Sequence, residues 1–472
     1  MNRLKRGAVL SCAVLSVFVP GLTSNSKPVQ RKPRNPAIAG IVRQIDARNI
    51  EHTILQLVSF GTRNTLSEQN DPKRGIGAAR DWLYAEFLKI AETSGGRMTV
   101  EKQTFEQQKA ARVPQPTIIT NVVATLKGSQ PQATDRIYVV SGHYDSMCGS
   151  PTEAKCDAPG ANDDASGAAA VLEMARVMAK FEFDATIVFM AVAGEEQGLL
   201  GSTHFAEEAK KKNWDIDAMF TNDIIGNSLG GNGIRDRGTV RVFSEGVPSN
   251  ETPAEATTRR SVGGENDSAS RQLARFIKET SEAYVPQMNV MMVYRRDRYG
   301  RGGDHIPFLE RGYPAVRFTE VNEDFRHQHQ NVRIEKGVQY GDLPQFVDFA
   351  YIANVARVNA ASLAILAYAP VRPKGVTIIS RLSDDTELHW DADKEPDLAG
   401  YEIVWRETTA ATWTNSKPVG KVTSFTLKGM SKDNYFFGVR AIDKDGNRSP
   451  VTYPKPMTRN QPERPATPGS NP

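Results

Sequence analysis

Cysteine is scarce in this chain, with three in 472 residues. No Cys or His partner stands at zinc-finger spacing from Cys148 and Cys156, which disfavours a structural zinc site built from that pair. Long apolar runs are lacking as well. Beyond the N-terminus no stretch reaches the ~18 apolar residues of a membrane span, so no stable membrane insertion is expected. An excess of one charge is also missing. The formal net charge is +4, and Arg3, Lys5 and Arg6 supply three of those positive charges. Loss of these three leaves +1, which removes a basic surface as an argument for nucleic acid or anionic membranes.

Those three residues precede "AVLSCAVLSVFVPGL", an apolar run followed by the small residues Ser24 and Ser26. This is the layout of a secretory signal cut near residue 26. Export, to a periplasm or to the outside, exposes the chain to an oxidising compartment. A disulfide between Cys148 and Cys156, closing "MCGSPTEAKCDAPG", is therefore expected. Residues 27–37, rich in Pro and basic side chains, read as a loose leader.

From 38 to 370 the pattern is that of an α/β domain. "GIGAARDWLYAEFLKIAE" carries Ala79, Leu83, Phe87 and Ile90 at helical spacing. "RMTVEKQTF" and "TIITNVVATLKG" alternate as strands do. "RIYVVSG" and "ATIVFMAVAG" are short β-branched runs suited to strands buried on both faces. Helices lie between the strands, which predicts a three-layer α/β/α sandwich around a mostly parallel mixed sheet. "FVDFAYIANVARVNAASLAILAYA" reads as a packed closing helix, because Asp348 and Arg357 interrupt it. Residues 230–270 are polar with one strand, and read as an irregular excursion bordering the site. From 371 to 457, short strands separated by Asp, Gly and Asn turns predict an all-β sandwich. It resembles a fibronectin type III module, with Trp390 on an early strand and Tyr401 after "DLAG". Contact with a surface or polymer would be its role. The tail, 458–472, is expected to be disordered.

Carboxylates and imidazoles gather where the buried strands end. "SGHYDS" brings His143 and Asp145, "GANDDASG" Asp163 and Asp164, "AGEEQGLLGS" Glu195 and Glu196, "TNDIIG" Asp223, and "NEDFRHQHQNV" His327 and His329. Ligands of open α/β sheets bind beyond the carboxyl ends of strands. So many acids beside imidazoles need a cation, and the mixed set suits Zn²⁺, with Co²⁺ or Mn²⁺ as substitutes. The acids exceed the needs of one ion. Two ions sharing a carboxylate, at the ~3.5–4 Å of two-metal hydrolases, would use them.

In this order the motifs GHxD, NDD-S-G, GEE-G-GS, a strand-end Asp and a late His resemble the M28 family of zinc aminopeptidases, over about 38–370. The resemblance implies two Zn²⁺ held by His143, Asp163, Glu196, Asp223 and a late His. Asp163 bridges, Glu195 is the general base, and Asp145 accepts from the far nitrogen of His143. For the late ligand "HQHQN" offers His327, with Asn331 in the place of the family's Asp, or His329, which is preferred. Asp304 and His305 in "YGRGGDHIPF" lie near the family's SDH-like segment and would support ligands or orient substrate, with helix capping as the alternative. A cis peptide between Asp163 and Asp164 is also implied, with Asp164 accepting N–H donors of the following helix. The expected activity is removal of N-terminal residues from peptides. Carboxypeptidase or dipeptidase action on the same scaffold is the alternative. Glutaminyl cyclase ranks lower, because such relatives lack the full NDD and GEE pairing. So does a non-catalytic binding protein, because no ligand is missing. None of these residues lies beyond Pro370, so the module should be dispensable for chemistry.

Overall fold

The computed structural model describes residues 35–457. The signal segment, residues 27–34 of the leader and the tail from 458 lie outside the described residues. Residues 35–37 of the leader are not loose. The Asn35 side chain accepts from the Ala37 N–H and Pro36 takes the first helical position, which together start α1 (Pro36–Gln44). Next come α2 (Ala47–Ser59), capped by Asp46, and α3 (Ile76–Glu92).

The main sheet has eight strands: β1 (Met98–Gln107), β2 (Thr117–Leu126), β3 (Arg136–His143), β4 (Thr186–Val192), β5 (Asp215–Asn222), β6 (Thr239–Phe243), β7 (Asn289–Val293) and β8 (Ala315–Glu320). Their spatial order is β1-β2-β4-β3-β5-β8-β6-β7. The β3–β4, β3–β5, β5–β8 and β6–β7 pairs are parallel, and β1–β2, β2–β4 and β6–β8 are antiparallel.

Alternation along the central strands builds the layers. Tyr138, Val140, Ile187 and Phe189 face one core, which α1, α2, α3, α4 (Ala165–Met178), α7 (Ala269–Tyr284) and α9 (Phe349–Tyr368) cover. Val139, Val188, Met190 and Met219 face the other, under α5 (Leu200–Lys211) and α8 (Ile306–Glu310). The domain is thus a three-layer α/β/α sandwich with a mixed sheet. Among the described helices α9 alone is long and apolar enough to cross a membrane, and most of it is buried in this core.

The excursion between 230 and 270 is not wholly irregular. It contains α6 (Pro253–Ser261), started by a capping box in which Thr252 and Glu255 satisfy each other's backbone N–H groups. Its contacts run to the C-terminal module: Tyr453 Oη donates to the Val262 carbonyl at 2.9 Å, and Asp267 pairs with Arg406 at 2.8 Å.

After a short hairpin, β9 (Arg333–Glu335) and β10 (Val338–Tyr340), and after α9, the module forms two sheets. One holds β11 (Thr377–Ile379), β12 (Thr386–His389), β15 (Ser424–Leu427) and β17 (Lys455–Met457). The other holds β13 (Leu398–Glu407), β14 (Asn415–Gly420) and β16 (Tyr435–Asp443). Leu388, Trp390, Tyr401, Ile403, Phe437 and Val439 fill the space between them, with Trp390 edge-on to Tyr401 at 5.4 Å.

Candidate metal centre

Four parallel strands end at one place. His143 closes β3, Glu195 and Glu196 follow β4, Asp223 follows β5, and His329 lies in the loop after β8. Asp163 arrives on the loop that leads into α4. The sheet therefore brings together side chains up to 186 residues apart at the carboxyl ends of its strands.

Asp163 stands at the middle. Its Oδ1 is 3.2 Å from His143 Nε2 and its Oδ2 is 2.9 Å from His329 Nε2. Each carboxylate oxygen thus faces a different imidazole. Asp223 Oδ1 lies 3.9 Å from His143 Nε2, and Glu196 Oε2 lies 3.3 Å from His329 Nε2. Ligand atoms of His143, Glu195 and Asp223 fall within 4.8 Å of one another, as do those of Asp163, Glu196 and His329. Glu196 Oε1 is buried and has no hydrogen-bond partner among the described residues.

Electrostatics follow from this crowding. Burial and then the Asp223, Glu196 and Asp304 carboxylates push the Glu195 carboxyl well above its ordinary value, against the attraction of His143. Burial alone would raise Asp163, yet His329 and His143 hold it well below. Burial would lower His329, but Glu196 and Asp163 outweigh it and bring the ring up to about 11. The charge states of these carboxylates and imidazoles thus depend on one another.

The supporting contacts fix this geometry. His143 Nδ1 lies 3.4 Å from Asp145 Oδ1 and 3.1 Å from the Asp145 carbonyl. Asp145 Oδ2 also accepts from Thr65 Oγ1 at 3.0 Å and from the Glu196 N–H at 3.2 Å. One carboxylate thereby ties the histidine to the loop of the two glutamates. The Asp163–Asp164 peptide is cis. Asp164 accepts from the backbone N–H of Gly167 at 2.9 Å, His143 at 3.0 Å and Ile224 at 3.3 Å. It thus pins the start of α4 to the ends of β3 and β5. The two adjoining aspartates thus differ: Asp163 faces the imidazoles and Asp164 holds the backbone around them.

The two late histidines separate cleanly. His329 joins the cluster, half-exposed and with φ of 52°. His327 turns away, stacked on Phe346 at 3.7 Å between ring centres. Asp304 is buried, and burial raises its carboxyl to about 7. His305 occupies the residue before α8 but makes no side-chain cap. Its Nε2 faces the Arg296 carbonyl at 2.8 Å, and burial lowers the ring to about 4. Cys148 and Cys156 are bonded. The loop they close touches the loops that carry Glu196 and His329: the Gly149 N–H donates to Asn331 Oδ1 at 2.9 Å, and Gln197 Nε2 donates to the Pro151 carbonyl at 2.9 Å.

Three buried charges escaped the sequence reading. Asp342 accepts from the Asp163 N–H at 2.7 Å and the Asn162 N–H at 2.9 Å. Arg63 donates to the carbonyls of Tyr144 at 2.7 Å and Gly160 at 2.9 Å. Arg317 Nη2 lies 2.9 Å from Asp223 Oδ1. None sits in a motif, and no local signal in the sequence marks their partners.

Residues 121–337 match the profile of peptidase family M28. A probable zinc metalloprotease of Leptosphaeria maculans is 50% identical over 420 residues, covering 89% of this chain and 97% of that one. A probable zinc metalloprotease of Pyricularia oryzae is 50% identical over 420 residues, covering 88% of this chain and 83% of that one. Among solved structures, LapB from Legionella pneumophila aligns with a TM-score of 0.51 at 20% identity, over 71% of this chain and 76% of that one. An aminopeptidase from Aneurinibacillus sp. aligns with a TM-score of 0.50 at 16% identity, over 70% and 96%. At these identities the two structures speak to the fold alone.

Proposed function

Because the chain belongs to peptidase family M28 and is a zinc-dependent peptide hydrolase, we propose that it is an exported aminopeptidase with a dinuclear zinc centre. The donor set fits two ions. His143, Asp163 and Asp223 would hold one, and Asp163, Glu196 and His329 the other. The observation that carries this reading is Asp163, with one oxygen towards each imidazole. The Glu196 Oε1, buried and without a hydrogen-bond partner among the described residues, adds an acceptor that a cation would satisfy. Imidazole with carboxylate is chemistry that suits zinc.

Bound Zn²⁺ supplies Lewis acidity and brings the pKa of water towards neutrality. The protein's own part is to hold and move protons. Glu195 is half-buried, with a ligand atom within 4.8 Å of those of His143 and Asp223, and would take a proton from the attacking water and pass it to the leaving amine. Asp145 keeps His143 oriented with Nε2 towards Asp163. Asp304, buried and within electrostatic reach of His143, Asp145 and Asp223, would support ligands or orient substrate. Action at the N-terminus rests on the order of the motifs, and export on the apolar N-terminal segment and the bonded cysteine pair. The two-sheet module is read as fibronectin type III-like, a site of surface or polymer contact.

Unblocked, N-acetylated and C-amidated forms of one peptide, each with and without chelator, test the activity. Unblocked and C-amidated forms should lose N-terminal residues, and chelator should stop this. Equal cleavage of the acetylated peptide, or release from the C-terminus, would overturn the aminopeptidase reading.

A further inference from the structure

Arg317 is an unusual neighbour for a metal ligand. It lies on β8 and is wholly buried. Its Nη2 is 2.9 Å from Asp223 Oδ1, while its Nη1 is 3.3 Å from Asp297 Oδ2 and donates to the Gly302 carbonyl at 2.5 Å. Gly303 keeps the space open, since a Cβ there would lie 2.7 Å from that Nη1. One guanidinium is therefore divided between a metal-site carboxylate and a second buried acid. Asp297 is itself shared, with Arg298 Nε at 3.2 Å and His305 Nε2 at 3.7 Å.

Among the described residues the other half of the centre has no such competitor: the ion pairs of Asp163 and Glu196 are with imidazoles alone. A carboxylate that already accepts a charge-assisted hydrogen bond has less electron density to offer a cation. The buried guanidinium would also repel a cation held by Asp223, in surroundings that screen the charge poorly.

We propose that Arg317 is a positioning residue that shares Asp223 with the zinc ion at His143, so that this ion is the more weakly held of the two, and that Asp297 sets the strength of the effect. The proposal rests on the dinuclear reading above. It makes two neighbouring substitutions act in opposite directions. Arg317→Gln removes the competing charge while keeping a donor, so the weaker ion binds more tightly. Asp297→Asn removes the acid that draws Arg317 away from Asp223, so the weaker ion binds less tightly. A merely structural tie between β8 and the 297–303 segment would have both changes loosen both ions alike.

The test is a titration of the chelator-stripped full-length protein with Co²⁺, followed by visible absorption, and with Zn²⁺, followed by calorimetry. Wild type should show two unequal steps, and Glu196→Gln should abolish the tighter one. Mutation of a group bonded to a metal ligand typically costs ~10–100-fold in metal affinity, and the competing charge of Arg317 reverses that direction for its own removal. Arg317→Gln should tighten the weaker step by about 10-fold, Asp297→Asn should weaken it by a similar factor, and Arg317→Lys should restore the wild-type gap. Two equal steps in wild type would overturn the proposal and leave the dinuclear reading intact. Uptake of a single ion would overturn both. Same-direction shifts in the two variants would also overturn it. Should Arg317→Gln fail to fold, Asp297→Asn decides by itself: weakening confined to the second step upholds the proposal, and no change or equal weakening of both steps refutes it.

Discussion

Asp267→Asn should be among the most damaging substitutions outside the metal centre. The carboxylate is fully buried between the catalytic domain and the C-terminal module. It accepts from Arg406 Nη2 at 2.8 and 3.0 Å, from Arg275 Nη1 at 2.9 Å and from Gln272 Nε2 at 2.9 Å. The two guanidinium side chains are themselves 1% and 2% exposed. Losing one partner of a buried ion pair costs about 3–5 kcal/mol, because the remaining charge stays desolvated and unpaired. Here two cations are left. Part of the loss is offset by carbonyls that they keep: Arg275 donates to Ala411 at 2.8 Å, and Arg406 to Ala410 at 2.8 Å. The expected net loss is therefore about 3–5 kcal/mol rather than twice that. Arg406→Met should cost less, because Asp267 keeps Arg275. Urea titration followed by tryptophan fluorescence reads this directly, since Trp413 lies at the junction with its Nε1 2.9 Å from Gln272 Oε1. A loss below ~1 kcal/mol, the value of an exposed pair, would show that this contact does not join the two parts as described.

Three further outcomes follow from the same structure. Chelation should abolish peptide hydrolysis and added Zn²⁺ or Co²⁺ should restore it; full turnover in protein shown metal-free by elemental analysis would contradict this. Glu195→Gln should retain metal yet lose ~10²–10⁴-fold in kcat, whereas Glu196→Gln should lose metal, and the reverse pair of phenotypes would mean that base and ligand have been exchanged. Truncation after Ala369 strips Arg136 of Glu395 and Asp267 of Arg406, so it should lower stability sharply while any soluble fraction still cleaves small substrates; a truncated protein as stable as the whole would refute the buried-junction account.

The strands and the site could be read from sequence for one shared reason. Runs such as "IYVVSG" and "TIVFMAV" are buried on both faces, so their composition alone marks them, and the chemistry sits directly at their ends. What could not be read lies where partners are distant in the chain. Asp342 meets Asp163 across 179 residues, and Arg317 meets Asp223 across 94. A lone charged residue carries no sign of such a partner. The choice between His327 and His329 depends on backbone direction: a left-handed residue at His329 sends one ring to Asp163, while the other packs on Phe346. The helix α6 had a legible start in "TPAE", but none of its residues is buried. Without an apolar stripe its periodicity is silent.

The central claim is that Asp163 joins two ions. Crystals grown with Zn²⁺ and measured on both sides of the zinc absorption edge test it most directly. Two anomalous peaks ~3.5–4 Å apart, one beside His143 and Asp223 and the other beside Glu196 and His329, with one Asp163 oxygen on each, are the predicted result. A single peak, or two peaks with both Asp163 oxygens on the same ion, would contradict it.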